Sequence, residues 1–238
     1  MKRKAVCTDP KWAGRADCVH CAIRQRVLFA DLPASELNDA LIVIDDLVYG
    51  PGGAIYRSGE SEAVLYTVRR GLIKLVRSLP DGEQRVVRLL KTGDIAGIEA
   101  ILGAAYKHTA IAIGEVEVCR IPISVIERLE LHHPALVHQL MVRWQSALDE
   151  ADRALVEFST GSAEERVARL LLHLSALGRD GSCPDLARQD IGSLLGIATE
   201  TASRAMAELR RRGGFQESAG GNLCNFDRIL LARIAESS

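Results

Sequence analysis

The sequence contains few aromatic residues and no long apolar run, and both absences limit what the chain can be. A helix that crosses a bilayer needs about 20 consecutive, mostly apolar residues, and no segment approaches that length. The basic N-terminus is followed by Asp9, Pro10 and Lys11 instead of the apolar core of a signal peptide. Because only 4% of the residues are aromatic, aliphatic side chains must fill the cores. We therefore expect a cytoplasmic chain without membrane contact.

An excess of positive charge and the common catalytic motifs are also missing. The formal net charge is −1, which disfavours a globally basic nucleic-acid binder, although a local basic surface would suffice to contact phosphates. The sequence has no nucleophile elbow, no phosphate-binding glycine loop and no His-Glu-x-x-His pair. We therefore do not expect an enzyme. The length of 238 residues suits two modest domains.

The apolar pattern changes along the chain and divides it into four segments. In the second segment, short apolar runs separated by glycines and a Pro80-Asp81-Gly82 turn predict several β-strands. Strands at such spacing are typical of a β-sandwich or a small β-barrel. The predicted segments are a Cys-bearing N-terminus (1–26), a β domain (27–122), a long helix (123–158) and a compact C-terminal domain (159–238).

The long helix carries a narrow apolar stripe. Pro134 suits its first turn, and apolar residues then recur at intervals of three, four or seven, as in a coiled coil. The stripe predicts either a core helix of a monomer or a dimerisation helix, and the flanking charged residues favour the second. The residues predicted at the dimer interface are Leu140, Trp144, Leu148, Ala151, Leu155 and Phe158.

The C-terminal domain contains a pattern that predicts two short helices joined by a tight turn. The first helix is expected from Arg188 to Leu195, the turn at Gly196, and the second helix from Thr199 to about Arg212. This arrangement is typical of a helix-turn-helix. An ordinary surface helix is the alternative, but paired glycines beyond the second helix add the pattern of a β-hairpin wing.

The second of these helices exposes polar residues that suit DNA. In a helix-turn-helix, the N-terminal end of the second helix enters the major groove. Arginine pairs with guanine, glutamate accepts a hydrogen bond from cytosine, and serine bonds a base or a phosphate. We therefore predict base contacts for Glu200, Ser203 and Arg204, and phosphate contacts for Arg210 and Arg211.

Six cysteines are present, three of them within the first 21 residues. A disulfide framework is disfavoured in a reducing compartment, so clustered cysteines indicate metal binding or redox chemistry. The Cys18-x-x-Cys21 pair could serve a metal site, with His20 as an extra ligand to zinc or haem, or a thiol–disulfide switch. An iron–sulfur or zinc enzyme could use the same pair. We expect structural roles for Cys183 and Cys224.

Taken in order along nearly the whole chain, these motifs resemble the CRP/FNR family of bacterial regulators. Gly93-Asp94-x-x-Gly97 resembles the family's β-roll, and the turn at Gly196 resembles its helix-turn-helix. The resemblance implies an α+β fold with an antiparallel β-roll of the cyclic-nucleotide-binding type, similar to cupins and jelly rolls. A long dimerisation helix and a C-terminal winged helix-turn-helix complete the implied fold. The implied partners are a second copy of the chain, double-stranded DNA and RNA polymerase.

The recognition helix resembles that of the FNR branch in particular. Glu200-Thr201-x-Ser203-Arg204 matches its base-reading positions, and this implies palindromic sites of the TTGAT…ATCAA type. Ala198 departs from the family, which commonly has a Ser or Thr helix cap at this position. Loss of such a cap typically costs about 1 kcal/mol.

The FNR branch senses oxygen through a 4Fe-4S cluster held by four cysteines, and the resemblance implies such a cluster here. Cys18 and Cys21 match the first pair of ligands, and Cys119 matches the ligand from the β-roll. Val27 stands where a third N-terminal cysteine is expected, so Cys7 is the implied substitute. The implied signal is oxygen or nitric oxide, which would degrade the cluster and loosen the dimer.

Cyclic AMP is not expected as a cofactor. Family members that bind it use a Glu and, further along, an Arg-Ser pair that holds the phosphate. Here Glu99 is present, but the pair resembles His108-Thr109, and a neutral histidine replaces a guanidinium poorly. The alternatives are a regulator of the same fold controlled by another small molecule in the β-roll, or one controlled by a cysteine thiol–disulfide switch.

Overall fold

The computed structural model describes residues 9–30, 32–33, 43–177, 183–218 and 221–236. The chain divides into two compact units. The first unit consists of Met1–Arg77 and Val87–Ser146, and the second of Ser78–Val86 and Ala147–Ser238. No helix within the described ranges is long and apolar enough to cross a membrane. Cys7, which the sequence predicts as a cluster ligand, lies outside the described residues.

An antiparallel sheet forms most of the first unit. Its strands are β1 (Lys11–Arg15), β2 (Asp45–Tyr49), β3 (Ala54–Tyr56), β4 (Val64–Ser78), β5 (Gln84–Leu90), β6 (Ile95–Ala96) and β7 (Thr109–Pro122). They follow the order β1-β2-β7-β4-β5, while β3 pairs with β7 and β6 pairs with β4. This sheet confirms the predicted antiparallel β-roll.

The core of the first unit is aliphatic, as the composition predicts. Leu65 and Val68 of β4 stand directly opposite Ile121 and Val118 of β7, and all four are buried. Directly opposite residues on antiparallel strands project to the same face, so each pair packs together. The N-terminal segment joins this core through apolar residues between positions 16 and 32. The half-buried Cys-x-x-Cys pair is thereby held close to the sheet.

Two helices follow the sheet. α1 (Ile123–Glu130) begins directly after β7, with Pro122 as its N-cap. α2 (Pro134–Ser159) begins at Pro134, as the proline predicts. The segment predicted as a long helix over 123–158 is therefore divided, because residues 131–133 separate α1 from α2. Leu136 and Leu140, near the start of α2, are buried in the core of the first unit.

Within its described residues, the second unit contains four further α-helices and a small sheet. The helices are α3 (Ala163–Leu177), α4 (Arg188–Leu195), α5 (Thr199–Arg211) and α6 (Arg228–Ala235). The strands β8 (Cys183–Pro184), β9 (Gln216–Glu217) and β10 (Asn222–Cys224) pair in the order β8-β10-β9. The β9–β10 hairpin is the predicted wing, and α4 and α5 are the predicted helix-turn-helix.

A capping box defines the start of α3. The Ser162 N–H donates to Oε2 of Glu165 over 3.1 Å, and the Glu165 N–H donates to Oγ of Ser162 over 3.3 Å. These reciprocal bonds satisfy two backbone donors that the first turn of a helix leaves free. The sequence Ser162-x-x-Glu165 therefore sets the helix boundary locally.

Candidate functional site

The helix-turn-helix is held together by an apolar seam between α4 and α5. Ile191 and Leu195 of α4 and Ala202, Met206 and Leu209 of α5 are all buried. Gly196 ends α4 in the left-handed conformation, with φ +66°, and its N–H donates to the Gly192 carbonyl. Glycine adopts this conformation without a steric penalty, so Gly196 allows the chain to reverse directly into α5.

Gly192 is required for a different reason, the close approach of the backbone in the turn. A Cβ at this position would lie only 2.8 Å from the carbonyl oxygen of Ile197. The Ile197 N–H meanwhile donates to the Gly192 carbonyl over 3.0 Å. The turn therefore has no room for a side chain at the middle of α4.

The substitution Gly192→Ala is expected to destabilise the second unit by about 1–3 kcal/mol, the usual cost of overpacking. The clash is with backbone, which cannot rotate away as a flexible side chain could. Urea denaturation followed by circular dichroism measures the change. Ala207→Ser, on the exposed side of α5, is the control and should change stability by less than about 0.5 kcal/mol. Wild-type stability in Gly192→Ala would show that the turn relaxes.

The predicted DNA-contacting residues lie on the face of α5 that points away from this seam. Glu200 and Arg204 are exposed and Ser203 is half-buried, so the three predicted base-reading residues are available near one end of the helix. Arg210 is 3.1 Å from Glu217, and Arg211 pairs with Glu208 within α5. Phosphate contacts by Arg210 and Arg211, as predicted, would therefore require both residues to leave these surface ion pairs.

The N-terminal end of α5 has no side-chain cap. Ala198 is the N-cap residue and forms no side-chain cap hydrogen bond. The first N–H groups of a helix otherwise need solvent or an anion as partner. This end of α5 is thus suited to an approaching phosphate as well as to base edges.

The segment 78–86, the turn between β4 and β5, belongs to the second unit and contacts α4. The Ser193 hydroxyl accepts a hydrogen bond from the Val86 N–H and donates one to the Gln84 carbonyl, each 2.8 Å long. Gln84 and Glu200 line one groove. Sequence analysis missed Ser193, and no local signal could have found it because Val86 lies 107 residues away.

A row of chemically different side chains crosses the sheet of the first unit at Cys119. This residue of β7 stands directly opposite Asp46 of β2 and Thr67 of β4. The Cys119 thiol donates to Oδ1 of Asp46 over 3.3 Å, and Oδ2 of Asp46 accepts from the Arg69 guanidinium. Three strands therefore bring a thiol, a carboxylate, a guanidinium and a hydroxyl to one face of the sheet.

Cys18 and Cys21 lie close to this row. Both are half-buried, and Cys18 packs against the core of the first unit. Burial raises the pKa of Cys18 to about 11; the neighbouring Cys21 adds to the rise and Arg69 opposes it. Burial likewise raises the pKa of Cys119 to about 12, again opposed by Arg69 and reinforced by Cys18 and Cys21. Cys18 and Cys21 therefore lie near enough to Cys119 to affect the ionisation of its thiol.

The thiols are close without forming a site for a single ion. Among the residues that the structure describes, no three His, Cys, Asp or Glu side chains form a group that could hold a metal ion. Cys183 and Cys224 belong to the small sheet of the second unit. Cys183 is buried, and burial raises its pKa to about 12. A protonated, buried thiol suits the structural role predicted for Cys183.

Stacked tyrosines occupy the part of the β-roll next to Glu99. The rings of Tyr56 and Tyr106 stack with centroids 4.0 Å apart, and a Cβ on Gly97 would lie 2.7 Å from the Tyr106 ring. Nδ1 of His108 is 3.7 Å from Oε1 of Glu99. Burial alone would raise the pKa of Glu99, but hydrogen bonds from His108 and the backbone lower it overall. Glu99 therefore carries a negative charge beside His108.

The apolar stripe of α2 is covered by its own chain at its two ends and largely exposed between them. Leu140 and Phe158 are buried within their own chain, Phe158 by an edge contact with the His173 ring. Trp144, Leu148 and Leu155 are about half to three-quarters exposed, and Ala151 is half-buried. Sequence analysis missed two exposed apolar residues that continue this heptad spacing toward the N-terminus, Val137 and Met141. Continuing the three-four spacing backward from Trp144 would have found both.

Two family models match two separate parts of the chain. Residues 47–133 match the cyclic nucleotide-binding domain, and residues 165–233 match the Crp-like helix-turn-helix domain. The first match covers most of the sheet together with α1, and the second covers α4, α5 and the wing. The order of the two domains is the order predicted from the sequence.

Two curated regulatory proteins are similar to this chain over most of its length. The nitrogen fixation regulation protein FixK of Bradyrhizobium diazoefficiens is 29% identical over 210 residues, which cover 86% of this chain and 88% of FixK. The fumarate and nitrate reduction regulatory protein of Vibrio cholerae is 28% identical over 201 residues, covering 82% of this chain and 80% of that protein.

Solved structures of related regulators also resemble this chain. TTHB099, a CRP-family transcriptional regulator of Thermus thermophilus, is 26% identical, with a TM-score of 0.68 over 80% of this chain and 97% of its own. FixK2 of Bradyrhizobium japonicum, at 24% identity, shares the fold, with a TM-score of 0.70 over 82% of this chain and 99% of its own. The winged helix-turn-helix, the β-roll and these relatives together show that the chain belongs to the CRP/FNR family of DNA-binding transcriptional regulators.

Proposed function

We propose that this regulator is a homodimer that responds to oxygen or nitric oxide through a 4Fe-4S cluster and binds palindromic FNR-type DNA sites. The observation that supports this proposal is the proximity of Cys18, Cys21 and Cys119 in a chain with a winged helix-turn-helix. The relatives named for nitrogen fixation and for fumarate and nitrate reduction point in the same direction. RNA polymerase is the proposed partner of the DNA-bound dimer.

The donor set suits such a cluster. Each thiolate ligand of a four-iron cluster binds a different iron, so the ligands stand further apart than those around a single ion. Three unoxidised thiols near one guanidinium provide this type of donor, and Arg69 offsets the negative charge that thiolate ligands accumulate. Cys7 is the thiolate that the sequence offers as a fourth ligand.

When bound, the cluster supplies a link between cysteines that oxygen and nitric oxide can degrade. Cys18 and Cys21 belong to the N-terminal segment, whereas Cys119 belongs to β7. Holding these residues together fixes the segment against the sheet. Releasing the cysteines makes the state with the N-terminal segment fixed against the sheet less stable than it was. The proposed response is a shift in population from a dimeric, DNA-binding state to a state with a weaker dimer.

The exposed stripe of α2 is the proposed dimer interface. The substitution Leu148→Glu is expected to weaken dimerisation at least about 100-fold, because each subunit would place a charge in an apolar seam. Sedimentation equilibrium of anaerobically purified protein measures the dissociation constant. Ser146→Glu introduces the same residue on the opposite side of the helix and should leave the dimer intact. A dimer that tolerates Leu148→Glu would exclude this face.

The sensing proposal is tested by purifying the protein without oxygen and measuring its visible spectrum, iron and sulfide before and after exposure to air. We expect a brown protein with about four irons per chain that loses its colour and its affinity for a TTGAT…ATCAA duplex in air. A colourless, iron-free protein that binds this duplex equally well in air would overturn the cluster while leaving DNA binding intact.

The second candidate function is control by a small molecule in the β-roll, favoured by the charged Glu99 beside His108. The stacked tyrosines lie against this pair, and a ligand there would have to displace or stack on Tyr106. His108-Thr109 stands where cyclic AMP binders have the Arg-Ser pair that holds the phosphate, so a histidine replaces the guanidinium at this position. A colourless protein that binds DNA only after addition of a small molecule would favour this candidate.

A further inference from the structure

We propose that the β4–β5 turn (78–86) is an autoinhibitory element that covers the N-terminal end of α5 and must leave before this end can enter DNA. The turn belongs to the second unit and contacts the helix-turn-helix. The turn and DNA therefore compete for one surface. Because this competition requires only that α5 binds DNA, it does not depend on which signal controls the protein.

One hydroxyl of α4 holds the turn in place. Oγ of Ser193 accepts a hydrogen bond from the Val86 N–H and donates one to the Gln84 carbonyl, each 2.8 Å long. A serine hydroxyl has one proton to donate and two lone pairs, and here the proton and a lone pair both bind the turn. Both partners are backbone groups, so the contact fixes the course of the chain itself.

A second contact lies where α4 ends. A Cβ built on Gly196 would be only 2.8 Å from Nη2 of Arg85, so the guanidinium of the turn packs directly on the glycine that reverses the chain. The turn also has its own internal bond, from the Leu79 N–H to the Glu83 carbonyl over 2.8 Å. A segment that is ordered internally and is held at two points can bind and leave as one piece.

The space beside α5 does not admit both the turn and DNA. The groove between the turn and the helix-turn-helix has a volume of about 800 Å³, and its lining includes Gln84 from the turn and Thr199 and Glu200 from the first turn of α5. A helix with its side chains is about 10–12 Å across, and the major groove of B-DNA is about 12 Å wide. The inserted helix therefore fills the major groove, and the DNA backbone beside it would meet the β4–β5 turn.

The charge of the turn argues against a role as an additional DNA contact. Residues 78–86 contain two carboxylates, Asp81 and Glu83, and one guanidinium, Arg85. Glu83 lines the same groove as Glu200. Surfaces that bind DNA neutralise phosphates with an excess of positive charge, whereas this segment has a net negative charge. The turn therefore favours the state without DNA.

The first experiment removes the Ser193 hydroxyl without changing any charge. Ser193→Ala should bind both the TTGAT…ATCAA duplex and a scrambled duplex about 3-fold to 30-fold more tightly, because the turn loses two hydrogen bonds and the DNA-competent state becomes more populated. Fluorescence anisotropy of anaerobically purified, full-length protein measures both affinities, and circular dichroism checks the fold. Because the scrambled duplex is included, the test does not depend on the proposed recognition sequence.

The control is Ser175→Ala, which removes a hydroxyl that is bonded within α3. This variant should bind both duplexes as wild type does. Unchanged or weaker binding by Ser193→Ala would overturn the proposal, because the contact with the turn would then not oppose DNA binding.

Hydrogen exchange measured by mass spectrometry reports on the turn directly. Ser193 protects the Val86 N–H while the turn contacts α4, so we expect peptides that span residues 79–86 to exchange faster in Ser193→Ala than in wild type. In wild type they should exchange faster with DNA bound than without it, while peptides of β7 stay unchanged. Slower exchange of residues 79–86 in the DNA complex would show that the turn stays and contacts DNA, and would overturn the proposal.

Discussion

The substitution Arg204→Ala is expected to reduce specific DNA binding by about 30-fold to 10⁴-fold. Arg204 is exposed on α5, and among the described residues its hydrogen bond is a long one, 3.4 Å, to the Thr201 hydroxyl, so its guanidinium is available to guanine. A bidentate arginine–guanine contact contributes about 1–3 kcal/mol of discrimination. A dimer on a palindrome makes this contact twice, which gives about 2–6 kcal/mol, or the expected range of affinity.

The measurement compares a TTGAT…ATCAA duplex with a scrambled duplex by fluorescence anisotropy, at several salt concentrations. Arg204→Ala should weaken binding to the palindrome and leave binding to the scrambled duplex nearly unchanged. Arg211→Ala is the matched control, because a lost phosphate contact weakens both duplexes alike and lowers the salt dependence by about one charge per subunit. An equal loss on both duplexes in Arg204→Ala would show that Arg204 contacts phosphate, not a base.

Elements fixed by neighbouring residues could be predicted from the sequence. The bounds of α4, the turn at Gly196 and the start of α5 follow from local signals, namely helix propensity, apolar spacing and a left-handed glycine. The long helix follows from Pro134 and the apolar period. In each case the residues that decide the structure lie within a few positions of one another, so no knowledge of the distant chain was required.

Partners brought together by strand pairing could not be predicted in the same way. Asp46 and Cys119 are 73 residues apart, and only the β2–β7 register places them on one face. A shift of that register by one residue would have brought Asp45 to Cys119 instead. The sequence therefore indicated the thiols of the candidate site through their spacing, while its carboxylate, guanidinium and hydroxyl became visible only in the folded sheet.

The apolar stripe of α2 likewise shows that contacts with distant parts of the chain cannot be predicted from local spacing. Leu140 and Trp144 are four residues apart and share a stripe by period alone, yet Leu140 is buried in its own chain and Trp144 is about half exposed. Which part of an apolar stripe remains for a partner depends on where the rest of the fold covers it. The period therefore predicted the helix and its apolar side, whereas the available surface required the structure.

The largest stability effect is expected at Arg169, which connects three parts of the second unit. Its guanidinium donates to the carbonyls of Glu157 and Thr160 over 2.9 and 2.7 Å, and to the Ala235 carbonyl over 3.1 and 2.9 Å. It also lies 3.6 Å from the buried Glu165 carboxylate. The end of α2, the start of α3 and the end of α6 therefore depend on one side chain.

The substitution Arg169→Met is expected to lower the free energy of unfolding of the second unit by about 3–5 kcal/mol, the usual cost of removing one partner of a buried ion pair. Differential scanning calorimetry and urea denaturation measure the change. Arg212→Met, which breaks the surface pair with Glu164, is the control and should cost less than about 1 kcal/mol. Equal stabilities of the two variants would contradict the role assigned to Arg169.

A double substitution separates the ion pair from the carbonyl contacts. Glutamine can replace Glu165 in the capping box, so Glu165→Gln removes the charge but keeps an acceptor for the Ser162 N–H. In the Arg169→Met background, Glu165→Gln should recover about 1–2 kcal/mol, because a neutral amide then replaces the buried carboxylate that has lost Arg169. Full recovery would assign the whole effect to Glu165. No recovery would assign it to the carbonyls of Glu157, Thr160 and Ala235, which no neutral residue at position 165 can satisfy.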